Sequence, residues 1–208
     1  LATNLAQKDI IINQLGENVG IVTEPQRRNT FPAIALSSAY LALCKKCSRE
    51  DVVVVMPCDP YTETGYFRVI SKMAEFVRKD VAELVLMGIK PHYPSEKYGY
   101  IVSGEQGCGY KIVKRFTEKP NEETAKQLLQ EGAYWNGGVF AYKLGYLMDI
   151  LSKYLSVDSF EELHSRYSEL PKISFDYEVV EKAKSVAVVE YDGQWKDLGT
   201  WNTLSEVL

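Results

Sequence analysis

Residues 51–61 read DVVVVMPCDPY. Four successive valines and Met56 form an apolar run without alternation, the pattern of a strand covered on both faces of a sheet. Pro57 has no N–H to give to a ladder, so pairing is expected to stop there. Asp59 then falls just past the carboxyl end of a buried, central strand, where open α/β sheets present ligand groups. A carboxylate in that place is either a metal- or phosphate-site residue or a turn and helix-cap aspartate. The stretch by itself leaves both open.

Working outward, the flanking chain alternates strand and helix. Residues 18–23 (NVGIVT) suit a short strand that ends at Glu24-Pro25. A helix is expected from Thr30, as N-cap, with Pro32 near its first position. After the valine run, 63–79 carries Phe67, Ile70, Met73, Ala74 and Val77 at helical spacing. Leu84–Ile89 is a second continuous apolar strand. This alternation predicts βαβ crossovers and a largely parallel sheet.

Beyond residue 98 the pattern changes. A hairpin is expected from 98–103 and 110–116 around a Gly-rich turn. A helix should follow over 121–132, with Asn121 as N-cap, acids in the first turn and Gly132 as stop. A strand over 134–142, helices near 144–154, 160–167 and 175–183, and a strand over Val186–Tyr191 complete the reading. Residues 193–199 read as a loop before a last helix near Thr200. The 208 residues are expected to form a single domain, entered as if in mid-unit at Leu1 rather than at a methionine.

Composition narrows the function classes. A hydrophobic share of 46% with 25% charged residues describes an ordinary globular chain. A net charge of −4 argues against nucleic acid or an anionic membrane surface as partner, though not against a nucleotide held by a local site. No run approaches a membrane span and no secretory leader opens the chain, so a cytoplasmic setting is expected. Cys44 and Cys47 form a C-x-x-C, but no second pair or histidine cluster completes a zinc site. Scattered reduced thiols fit the four cysteines better.

Polar groups at strand ends or between apolar runs are the candidates for chemistry: Asp59, Glu118, Lys119, Asn136 and Asp197. Two aspartates distant in sequence suit Mg²⁺, which takes a few carboxylates and completes its shell with phosphate oxygens and water. EPQRRNTFPAIAL, MPCDPYT, KYGYI, FTEKP, YWNGGVF, ISFDYEVVEKA and WKDLGTW follow one another in an order that resembles the mannose-1-phosphate guanylyltransferase (GDP-mannose pyrophosphorylase) family of sugar-phosphate nucleotidyltransferases. The resemblance runs from about residue 18 to the end.

That resemblance implies a three-layer, Rossmann-like α/β fold with a mixed, mostly parallel sheet. It also implies transfer of GMP from GTP to mannose 1-phosphate. Glu24, Arg28, Asn29 and Thr30 would lie by the nucleotide, and Asp59 and Asp197 would be the Mg²⁺ ligands. Gly99 and Tyr100 would line the sugar-phosphate pocket, Glu118 and Asn136 would bind sugar hydroxyls, and Lys119 would pair with the sugar phosphate. Trp195 and Trp201 read as packing residues.

Two departures stand out. The family's P-A-D-H box is P-C-D-P here, so its histidine is replaced by Pro60. The family's Gly-rich loop, which precedes the Glu-Pro-x-x-Arg-Asn-Thr segment and cradles the triphosphate, is not in these residues, nor is the strand before it. On that reading the 208-residue chain alone is expected to be inactive. The rival readings are a relative using another base or sugar and a non-catalytic binding fragment. A homodimer is left open.

Overall fold

The computed structural model describes residues 1–199 and 201–205. In chain order the strands are β1 Ala2–Asn4, β2 Val22–Glu24, β3 Val52–Val55, β4 Pro60–Thr62, β5 Leu84–Ile89, β6 Tyr100–Gln106, β7 Lys111–Thr117, β8 Tyr134–Lys143, β9 Val186–Tyr191 and β10 Trp195–Asp197. The helices are α1 Lys8–Leu15, α2 Thr30–Ala39, α3 Gly65–Arg78, α4 Glu122–Gln130, α5 Leu144–Ser152, α6 Phe160–Ser165 and α7 Trp201–Ser205. The chain divides into two compact units, Leu1–Asp51 with Lys143–Lys182 and Val52–Tyr142 with Ala183–Leu208.

In the first unit β1 and β2 pair in parallel, with Asn4 opposite Glu24. Thr30 does not cap α2 but stands as its first residue. The cap is Asn29, whose side chain accepts from the Thr30 N–H at 2.8 Å while its own backbone holds φ at 76°. Positive φ with ψ of −177° is a region almost reserved for glycine, and the asparagine is held there by its cap bond and by the bonds of Thr30 and Phe31 that follow it. α2 runs on into a π-helical turn over Tyr40–Cys44.

The second unit is built on a six-stranded sheet in the order β3-β8-β5-β9-β7-β6, and β6 also bonds to β8 at its start. The sheet is mixed, as expected, but it is not mostly parallel. β5 and β9 run parallel, whereas β5–β8, β6–β7, β6–β8 and β7–β9 are all antiparallel. The hairpin β6–β7 and the strand after α4 enter against the direction of the earlier crossovers, which alternation in the first ninety residues could not foretell.

Nor is the valine run the centre of the sheet. β3 lies at one end of the strand order with all four valines only half-buried, while every residue of β5 is buried. β10 is a strand where the sequence suggested a loop, and β4 one where it suggested no element. They pair antiparallel as a separate ribbon.

One face of the sheet carries the core. Val85, Met87 and Ile89 of β5, Trp135, Val139 and Ala141 of β8, and Ala187, Val189 and Tyr191 of β9 share a cluster with Tyr66, Met73 and Val77 of α3 and Ala125 and Leu128 of α4. Alternation in the strands and steps of seven and four in α3 put these side chains on facing surfaces. Asn121 caps α4 by accepting from Thr124 N–H at 2.9 Å, as expected.

On the opposite face Tyr134 lies across Gly88, where any Cβ would come within 2.9 Å of the Tyr134 Cβ and 2.7 Å of Val188. Its hydroxyl donates to Glu190 at 2.9 Å and accepts from Lys111, so one ring links β7, β8 and β9 over β5. The Tyr134 hydroxyl and, with it, Glu190 hold the Lys111 ammonium above its ordinary value, against the lowering effect of burial.

Tyr66 is fully buried in the core, with no hydrogen-bond partner for its hydroxyl among the described residues. Burial, reinforced by Tyr191, pushes that hydroxyl up to about 12 from 10.0. Its neutral form is therefore favoured by folding: the contribution is complete below pH 10 and is lost as pH rises through 12. Tyr66→Phe removes an orphaned polar atom and this titration together. It should cost no stability at neutral pH in urea unfolding, and its stability should fall less steeply than the parent's between pH 10 and 12.

Candidate active site

The β4–β10 ribbon joins what the sequence keeps 138 residues apart, the difference between positions 197 and 59. Its register sets Trp195 opposite Thr62, Lys196 opposite Tyr61 and Asp197 opposite Pro60. The Leu198 N–H then donates to the Asp59 carbonyl at 3.3 Å. Asp59 and Asp197 thereby face one pocket of about 330 Å³ lined also by Pro57, Pro60, Tyr98, Asn136, Gly137, Gly138 and Trp195. Asp197 is further shaped by its own turn, since its Oδ1 accepts from the Gly199 N–H at 3.0 Å.

Asn136 enters this pocket from β8. Its Oδ1 accepts from the Gly138 N–H at 3.2 Å, an Asx-type turn that φ of 69° at Gly138 makes accessible. Its backbone N–H donates to the Gly99 carbonyl at 2.7 Å. Gly99 in turn lies under Glu118: a Cβ at residue 99 would meet Oε2 of Glu118 at 2.6 Å and Cζ of Phe116 at 2.7 Å. Only 5% of the Glu118 side chain is exposed, and Lys119 pairs with it at 3.2 Å. Gly99, Glu118 and Asn136 are thus one connected group. Lys119 stands beside them with its side chain 60% exposed and a left-handed backbone at φ 42°, a strained state for a lysine.

Tyr100 is placed differently. It is fully buried in the sheet, and its hydroxyl accepts from the Ser95 N–H at 2.7 Å rather than facing the pocket. Tyr98, two residues earlier, lines the pocket instead. The sequence reading began this strand at 98, whereas β6 begins at Tyr100, so alternation gave no signal to separate 98 from 100.

Tyr98 packs edge-on against Trp195 at 5.4 Å and at a tilt against Trp135 at 5.0 Å, and Tyr93 packs on Trp135 at 4.9 Å. Burial, with the charges of Tyr93 and Asp197 nearby, drives the Tyr98 hydroxyl above its ordinary range, so it remains a proton donor. Trp195 is both pocket wall and packing residue. Trp201, expected to pack, is 85% exposed.

Among the described residues no group of three or more His, Cys, Asp and Glu is gathered as a metal cage. Two carboxylates lining one open pocket still fit a hard cation that completes its shell from a bound phosphate and water, as Mg²⁺ does. They do not fit zinc, which wants four protein ligands or three with nitrogen or sulfur among them.

The expected nucleotide residues belong to the other unit and are tied to its segment 167–175. Glu24 accepts from the Tyr167 hydroxyl at 2.8 Å, and Arg28 Nε donates to the Leu170 carbonyl at 2.9 Å. The Thr30 hydroxyl accepts from Phe175 N–H at 2.8 Å, and Phe31 N–H donates to Ile173 O at 3.2 Å. Burial first, and then the bond to Glu24, raises the Tyr167 hydroxyl well above its ordinary value. The Glu-Pro-x-x-Arg-Asn-Thr segment and the residue after it are therefore held at four places.

Gly99→Ala tests how tightly the group is packed. Its Cβ would strike an enclosed carboxylate and a ring, so a loss of about 1–3 kcal/mol is expected in urea unfolding. Gly104→Ala is the control, because its Cβ meets only the flexible Lys114 side chain and should cost little.

Comparison with known proteins adds an independent line. A family model described as nucleotidyl transferase matches residues 3–208. Mannose-1-phosphate guanylyltransferase of Escherichia coli K12 is 34% identical, over 94% of this chain and 45% of the relative. Mannose-1-phosphate guanylyltransferase 2 of Escherichia coli O157:H7 is 29% identical, over 99% of this chain and 48% of the relative. A crystal structure titled mannose-1-phosphate geranyltransferase, from Thermus thermophilus, superposes with a TM-score of 0.83 at 29% identity, covering 99% of this chain and 62% of that one. The chain spans about half the length of the curated relatives it matches.

Proposed function

The chain belongs to the nucleotidyl transferase family, and we propose on that footing that it is the catalytic part of an enzyme that transfers GMP from GTP to mannose 1-phosphate, giving GDP-mannose and pyrophosphate. The observation that carries the reading is the ribbon register that turns Asp59 and Asp197 toward the pocket occupied by Asn136. The names of the similar proteins support the choice of guanylyl group and mannose.

The phosphate of mannose 1-phosphate is already an anion, so attack on the α-phosphorus of GTP needs no protein nucleophile. What the chain must supply is position and charge. Asp59 and Asp197 would hold Mg²⁺, which when bound screens the phosphate charges and polarises the oxygens it touches. Asn136, with its amide orientation set by the Gly138 N–H, would present its NH₂ to a sugar hydroxyl. Glu118, packed over Gly99, would accept from another.

Lys119 would hold the attacking phosphate. Its pairing with Glu118 keeps the ammonium near the sugar group until a phosphate competes for it. The wall of Tyr98 and Trp195 would exclude water from one side of the sugar. Glu24, Arg28, Asn29 and Thr30 would serve the nucleotide, the α2 N-terminus favouring an anion.

The test is GDP-mannose formation by the protein expressed from its full open reading frame. Asp197→Asn should lower turnover by about a hundredfold or more without loss of the folded state. Lys119→Met should raise KM for mannose 1-phosphate at least about tenfold, with KM for GTP little changed. Full turnover in Asp197→Asn would sink the assignment, and equal activity with UTP or ATP in place of GTP would move it to another branch of the family.

A further inference from the structure

Asp197 ends one short strand and Asp59 directly precedes the other, and a ribbon of three residue pairs is marginal by itself. What holds it is Tyr191, the last residue of β9. The residue is 3% exposed, and its ring packs edge-on against Tyr66 with centroids 5.6 Å apart. Its hydroxyl donates to the Gln194 carbonyl at 3.1 Å and accepts from the Glu63 N–H at 3.4 Å. The Thr62 hydroxyl lies 3.1 Å from the Tyr191 oxygen and 3.3 Å from the Gln194 carbonyl and donates to one of the two.

The contacts fall symmetrically. Thr62 is three residues beyond Asp59, and Gln194 is three residues before Asp197. The hydroxyl therefore staples the ribbon at one end, roughly 10 Å along the strands from the end that bears the carboxylates. Gly193 leaves room for the staple, since a Cβ there would come within 2.5 Å of the Tyr191 oxygen.

We propose that Tyr191 is a positioning residue for the Asp59–Asp197 pair: its hydroxyl sets the spacing of the two carboxylates by clamping Thr62 and Glu63 to Gln194. The proposal rests on the reading of Asp59 and Asp197 as a cation site. Tyr191 does not line the pocket and acts only through the ribbon.

The experiment is a Mn²⁺ titration of the chain followed by nuclear magnetic resonance. The readouts are paramagnetic broadening of the Tyr61 and Leu198 amides and hydrogen exchange at the Leu198 amide. The variants are Tyr191→Phe, Thr62→Val, the double variant and Asp197→Asn, each checked for its thermal midpoint. Tyr191→Phe keeps the ring in the core, so the fold is expected to survive. Its Mn²⁺ half-saturation should rise on the order of fivefold, the worth of one lost hydrogen bond, with faster exchange at Leu198. Thr62→Val, away from the core, should do the same, and the double variant should be no worse than the stronger single one, because both break one staple.

Wild-type Mn²⁺ binding in both Tyr191→Phe and Thr62→Val, with binding lost in Asp197→Asn, overturns the proposal and leaves the cation site standing. Wild-type binding in Asp197→Asn overturns the cation site itself and, with it, the proposal.

Discussion

The pairing of Asp197 with Pro60 is the contact on which the candidate site depends. It is a short antiparallel register closed by the Leu198 N–H on the Asp59 carbonyl. Without it the two aspartates belong to separate loops, each mobile and each fully hydrated. With it they share a wall, and their mutual repulsion becomes an attraction for a cation. The free energy of holding two carboxylates together has to come from elsewhere, and the large buried core beneath β5 and β9 is where the ribbon is rooted.

Close packing of glycine against a larger group recurs around the site. Gly88 lies under Tyr134, Gly99 under Glu118 and Gly193 under the Tyr191 hydroxyl. In each case an absent side chain allows a polar group to cross a neighbouring strand or turn. The polar groups so placed are the ones whose positions matter: a sheet clasp, an enclosed carboxylate and a ribbon staple. Packing and site geometry are here the same property, so substitutions at these glycines act on both.

Much of this was legible in the sequence. Leu84–Ile89 and Val186–Tyr191 are strands as read, the first a continuous apolar run and the second valine-rich with only Glu190 polar, and Asn121 caps its helix because an amide followed by acids favours that place. The valine run misled on position. Four valines describe apolar surroundings but not which neighbours supply them, and β3 stands at the margin of the order. The strands β4 and β10 were missed because PYT and WKD are too short for any periodicity, and only their mutual bonding makes them strands. Tyr100, expected at the pocket, is buried and Tyr98 lines it instead, because a small shift of strand start decides which side chains face inward.

The left-handed backbone at Lys119 has a consequence for how this position can change over time. Stability alone favours glycine or asparagine there, since either relieves the strain that a lysine side chain incurs at that φ. A cation at the same place is favoured by the enclosed Glu118 carboxylate it pairs with and, on the proposed reading, by the phosphate it would hold. Drift at position 119 is therefore a record of use: a lineage that keeps the ammonium against the pull of the backbone still needs a positive charge beside Glu118, and one that relaxes to glycine has let that need go.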